Sequence, residues 1–194
     1  MQKKFSPIFR LWHWLTVFSV LGLAGTVFLR KTFLDKSANA EIIRAKLESF
    51  HIAINPDQAV AVAKAIRAPM WEWHYILAVV LGIAIALRII AMLRGEAQLP
   101  LLKVLQSQGA HEKLKNSVHL LICLSILVMA LTGTFYYFHD ALGISKSSAS
   151  WAKELHETLF WPLMVLIAMH IGGVVMHELQ TKECIVSKMI HGDE

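Results

Sequence analysis

Four stretches of the chain are apolar over an unusual length. Residues 8–29, 71–93, 117–138 and 152–179 are dominated by Leu, Ile, Val, Ala, Phe and Trp. Each reaches the about 20 residues that an α-helix needs to cross a hydrocarbon core of ~30 Å. Isolated strands cannot do so, because their backbone groups would go unpaired in lipid. The pattern predicts an all-α integral membrane four-helix bundle, formed as a single domain over residues 1–194.

The connection 30–70 follows a different pattern. Ile43, Leu47 and Phe50 recur at helical spacing within 40–50. Asn55 then stands as an N-cap, Pro56 at the first helical position, and Gln58 where a capping box places its return acceptor. Val62 and Ile66 continue that second helix. A small two-helix cap outside the membrane is expected here, to cover one end of the bundle or to dock a partner. Segments 95–116 and 140–150 are polar connections. Pro162 lies inside the fourth run and is expected to leave the Thr158 carbonyl without its usual helical donor.

Composition agrees with a membrane location. The 194 residues are 56% hydrophobic and 17% charged, against about 25% charged in a typical soluble domain. Mean hydropathy is +0.51. Lys3, Lys4 and Arg10 precede the first run much as in a secretory signal. That run is long and bears Trp12 and Trp14, and three more spans follow, so it reads as a retained helix. The net charge of +5 reads as anchoring to anionic lipid rather than nucleic-acid binding. Orientation is not set by charge. With the N-terminus inside, nine Lys and Arg fall on each side, Arg88 aside. The two cysteines, Cys123 and Cys184, are not expected to pair, and the absence of a C-x-x-C-H motif excludes covalently attached haem.

Histidine placement carries the chemistry. His156 and His170 are fourteen residues apart in the fourth run. At 3.6 residues per turn they share a helix face, roughly 21 Å apart along the axis. His13, His74 and His119 lie near the ends of the other runs. Ionisable groups within a membrane are costly and usually functional. Two imidazoles at two depths suggest two stacked metal-centred cofactors, such as haems. An imidazole on each face of a haem fills both axial positions and favours electron transfer over oxygen chemistry. Because adjacent helices run antiparallel, His74 and His156 fall at one level, and His13 and His170 at the other. His119 also belongs to that second level and competes for it. A zinc or copper carrier would gather ligands and carboxylates at one point, whereas these divide between two levels.

Arg88, within the second run, needs a partner, and a haem propionate would supply one. Arg10 is a second candidate of that kind. His177 lies two turns beyond His170 on the same face, where it could meet a quinone headgroup and deliver a proton.

Taken in order, Arg10-Leu-Trp-His13-Trp, His74 with Arg88, His119 with Leu131-Thr132-Gly133, and Leu155-His156-Glu157 with His170 and His177 resemble one family. It is the bacterial cytochrome b561 family, with the related b-type cytochrome subunits of nickel hydrogenases. The resemblance covers all four runs. It implies a bundle in the bacterial inner membrane holding two b-type haems as cofactors, with both termini cytoplasmic. His74 and His156 would then hold the periplasmic haem, and His13 and His170 the cytoplasmic one. The long connection 30–70 departs from the short one of the smallest members.

The function expected is electron transfer between a periplasmic redox partner or substrate and the membrane quinone pool, whether ubiquinone or menaquinone. Similar free-standing proteins include superoxide oxidases. The alternative is an anchor subunit whose catalytic partner, such as a hydrogenase or dehydrogenase, docks on 30–70. A third reading is a haem-free metal or proton carrier.

Overall fold

The computed structural model describes residues 6–182 and 184–192. Lys3 and Lys4, counted above in the charge balance, lie outside the described residues. The chain forms seven helices among the described residues: α1 Pro7–Lys31, α2 Lys36–Glu48, α3 Pro56–Leu93, α4 Pro100–Gln106, α5 Ala110–Tyr137, α6 Ser150–Thr181 and α7 Ile185–His191. Four of them, α1, α3, α5 and α6, are long and apolar enough to cross a membrane. The fold class is all-α, that of an integral membrane four-helix bundle.

Burial explains why these helices suit lipid rather than water. Most large apolar side chains on them are exposed, among them Phe18, Leu21, Ile83, Leu131 and Ile171. Many of the buried positions are small or modest, among them Ser19, Ala24, Thr26, Ala84, Val118 and Ala152, beside a few larger ones such as Leu81, Ile126, Phe160 and Leu163. Lipid tails are as apolar as leucine, so membrane helices associate through close backbone approach and interhelical hydrogen bonds instead of apolar burial.

The chain divides into two compact units, Met1–Trp14 with Ala84–Glu194, and Leu15–Ile83. In the first, α5 packs along α6 and α4 packs against α5. The short α7 joins this unit through the N-terminus. Trp14 Nε1 donates to the Met189 carbonyl at 3.0 Å, and Arg10 Nη1 donates to the Ile190 carbonyl at 3.1 Å. Met189 is buried there.

In the second unit, α2 packs on the first turns of α3 through Ala40, Ala59 and Ala63, with Ile43, Ile54 and Val60 around them. Both helices are capped as their sequences require. The Asp35 carboxylate accepts the backbone N–H groups of Ser37 and Ala38, each at 2.9 Å. Those two donors, Ala38 foremost, hold its carboxyl below the usual carboxylate range. At the start of α3, Gln58 N donates to Asn55 Oδ1 at 2.8 Å and Asn55 N to Gln58 Oε1 at 3.0 Å. This reciprocal pair is the capping box read from the sequence.

Three features differ from the sequence expectation or add to it. The second cap helix does not stop before the second apolar run. Instead α3 continues through Pro69 for 38 residues, about 57 Å at 1.5 Å per residue. That exceeds a ~30 Å hydrocarbon core, so part of α3 projects beyond it. The polar segment 95–116 contains α4, begun by Pro100 at its first helical position, where a missing N–H costs nothing. The C-terminal α7 is the third. Pro162 lies inside an α6 that runs unbroken from Ser150 to Thr181.

Candidate haem site

Three histidines meet in the first unit. His13 on α1, His119 on α5 and His170 on α6 form a cluster. Ring centroids of His13 and His170 are 6.5 Å apart, and those of His119 and His170 are 4.8 Å apart. Edge contacts from Trp12 and Trp14, at 6.2 and 5.6 Å, flank the His13 ring. The Nδ1 of His119 lies 2.8 Å from the Lys115 carbonyl one turn earlier.

Arg88 belongs to the same neighbourhood. Its guanidinium lies 4.4 Å from the centroid of the Trp12 ring and 5.7 Å from that of Phe9. One nitrogen, Nη2, reaches the Gln98 carbonyl at 3.4 Å. Nε and Nη1 are buried and have no hydrogen-bond partner among the described residues, and the same holds for Arg10 Nε. Buried donors of this kind call for an acceptor, and on a cation the natural acceptor is an anion. The Trp and Phe beside Arg88 are contacts that sequence spacing gave no means of finding.

His156, further along α6, has different surroundings. Its Nδ1 stands 2.8 Å from the Met129 carbonyl of α5. A carbonyl only accepts, so Nδ1 carries the proton and Nε2 keeps the lone pair that a metal needs. Gly133, one turn further along α5, gives the ring its room. A Cβ built there would lie 3.0 Å from His156 Cε1 and 3.1 Å from Nδ1. The Thr-Gly pair in α5 was visible in the sequence, but its relation to His156 was not.

His74 sits in the second unit, on α3. Its Nδ1 lies 2.7 Å from Thr26 Oγ1 on α1. One turn away, Trp71 stacks on Tyr75 at 6.2 Å, and the Arg30 guanidinium approaches the Trp71 ring at 5.7 Å. Indole rings beside a cation suit the headgroup level of a membrane. Gly22 on α1 faces Leu77, whose Cδ1 would lie 2.8 Å from an added Cβ. Gly25 has nothing within 4 Å of such an atom.

His177 is half-buried on α6, two turns past His170. His139 is buried at the end of α5, its Nδ1 2.8 Å from the Tyr136 carbonyl and its Nε2 3.2 Å from the Asp140 carboxylate. Both contacts are local, to residues within three positions along the chain. No group of three or more metal-ligating side chains is gathered as a metal site among the described residues.

The residues fit a haem. Two imidazoles on opposite faces of one metal ion, each bonded through nitrogen at about 2 Å, have ring centroids roughly 6 Å apart. The 6.5 Å between His13 and His170 agrees with that, whereas the 4.8 Å between His119 and His170 is too short for an ion between them. The orphan donors of Arg88 and Arg10 answer to carboxylates, and a haem carries two. A model of the family described as prokaryotic cytochrome b561 matches residues 4–192. The chain belongs to this family. It is therefore a multi-pass membrane b-type cytochrome of electron transfer, and it binds b-type haem. No curated protein and no solved structure matches it.

Proposed function

We propose that this cytochrome b561 family member carries two b-type haems and transfers electrons between a periplasmic redox partner or substrate and the membrane quinone pool. His74 and His156 hold one haem, and His13 and His170 hold the other. The observation that carries this reading is the 6.5 Å separation of His13 and His170 on helices α1 and α6. The fourteen-residue spacing along α6 then supplies His156 at a second level. When bound, a haem with two imidazole ligands exchanges single electrons and leaves no coordination position open to oxygen.

The other residues take roles consistent with their surroundings. Arg88, with two buried and unpartnered nitrogens, binds a propionate at the His13–His170 level, and Arg10 assists from one turn before His13. Trp12 and Phe9 orient the Arg88 guanidinium by stacking and keep water from it. His177 lies on the quinone side, where an imidazole can hand over the proton that quinone reduction requires. The whole chain, 1–194, acts as one membrane cytochrome domain of the bacterial inner membrane. Both termini are cytoplasmic and segment 30–70 is periplasmic.

A specific observation favours a second reading, that of an anchor and electron-transfer subunit of a larger oxidoreductase. The cap outside the spans exposes Phe33 at 82%, Ile42 at 65% and Phe50 at 59%. Exposed apolar groups beside Lys36, Arg44 and Lys46 suit a docked redox protein. Stopped-flow mixing of the purified, haem-loaded chain with superoxide in the presence of quinone separates the two. Haem reduction followed by quinone reduction supports the free-standing carrier. No turnover, together with a co-purifying redox subunit, supports the anchor.

A further inference from the structure

We propose that Thr26 is a positioning residue for the haem held by His74. Its hydroxyl oxygen accepts the Nδ1 proton of His74, which fixes Nε2 as the ligating nitrogen and raises the basicity of the imidazole toward iron. The inference rests on the reading of His74 as an axial ligand.

The direction of the hydrogen bond follows from counting protons. Thr26 is buried on α1, 6% exposed. Its Oγ1 lies 2.6 Å from the carbonyl of Leu23, one turn earlier on the same helix. A threonine hydroxyl has one proton, and a carbonyl can only accept it. That proton is committed to Leu23. Only a lone pair of Oγ1 remains for His74 Nδ1, 2.7 Å away. The imidazole must therefore donate from Nδ1, and its lone pair is left on Nε2. Threonine commonly bonds back in this way to a carbonyl three or four residues earlier in its own helix.

The arrangement at His156 is a contrast. There Nδ1 donates to the main-chain carbonyl of Met129, which every residue at that position would provide. At His74 the acceptor is a side chain, so its strength depends on which residue stands at position 26. A group that accepts the outer N–H of a ligating imidazole raises the ligand's basicity and fixes its orientation. Greater basicity favours the ferric state, and hydrogen bonding of this kind is one of the protein's means of setting a haem potential. Thr26 thus holds the potential of the His74 haem below the value that an unassisted imidazole would give.

The test compares Thr26→Val, which keeps the volume and removes the hydroxyl, with Thr26→Ser, which keeps the hydroxyl. Each full-length, haem-loaded protein is titrated potentiometrically, and its low-temperature ferric EPR spectrum and haem content are recorded. The expected result for Thr26→Val is a higher midpoint potential for one haem, its reduction constant changing about tenfold, with the other haem unmoved. Thr26→Ser should behave as the wild type. If Thr26→Val does not accumulate, Thr26→Cys carries the comparison, with a smaller rise because sulfur is a weak acceptor. An unchanged potential and EPR spectrum in Thr26→Val, or in Thr26→Cys if that variant has to stand in, overturns the proposal. So does an equal shift in Thr26→Ser. His74→Ala tests the underlying ligand reading separately: if both haems survive it, His74 is not a ligand, whatever Thr26 does.

Discussion

The histidines proposed for the two haem levels are held in different ways. His74 and His156 each have Nδ1 engaged by an oxygen, Thr26 Oγ1 in one case and the Met129 carbonyl in the other. Their tautomer and ring orientation are set before any metal binds. His13 and His170 are positioned instead by rings: Trp12 and Trp14 flank His13, and His119 crowds His170 at 4.8 Å. The histidines proposed for one haem are ordered by hydrogen bonds, and those proposed for the other by aromatic packing with a surplus imidazole. Hydrogen bonds to the outer nitrogen tune a metal ligand, whereas packing mainly locates it. The two haems should therefore respond differently to changes around them.

The largest effect that can sharpen this contrast is removal of a ligand from the packed level. His170→Ala should lose one haem and keep the other, as read from the reduced absorption bands and the haem content of the purified variant. Should both haems persist, the surplus His119 has taken over, and packing at this level does not choose its ligand. Next comes Gly133→Ala on the hydrogen-bonded level. The new methyl meets the His156 ring at 3.0 Å, while the Met129 carbonyl holds that ring from the same helix. Overpacking of this kind costs about 1–3 kcal/mol. Thermal unfolding should drop accordingly, with selective loss of the His156 haem and retention of the one at His170.

A smaller effect belongs to Arg88→Met. A buried cation favours the added electron of a reduced haem, so its loss should lower the potential of the His13–His170 haem alone, by on the order of 1 kcal/mol in the reduction equilibrium. An equal fall at both haems would mean that Arg88 serves no particular level. The smallest effect lies outside both. Asn55→Ala removes one side of the capping box and should weaken the first turns of α3 by about 1 kcal/mol, seen as faster amide exchange over 56–63 with haem content unchanged.

Much of this protein is legible in its sequence, and the reason is physical. Lipid admits only continuous helices, so four long apolar runs announce four spans. A charge-bearing ring within such a run is expensive, so His13, His74, His156 and His170 stand out without any structural help. The capping box at Asn55 and Gln58 is local chemistry and could be read directly. Other features depend on contacts that spacing does not encode. Thr26 is one polar residue among many until α3 brings His74 to it. Trp12 reads only as one mark of a retained first helix, yet its ring also stacks on Arg88. The second cap helix and the second span read as separate elements, but α3 runs through Pro69 as one helix of 38 residues. The short α4 and α7 carry apolar residues at helical spacing, Leu101 with Leu105 and Ile185 with Met189, but over seven residues each they lack the length that revealed the spans.

The central claim is that one chain holds two haems through four histidines. The measurement that tests it most directly is the ratio of haem to protein in the purified wild-type chain, by pyridine haemochrome assay against quantitative amino-acid analysis. The account predicts two b-type haems per chain. A fully loaded protein that contains one would contradict it.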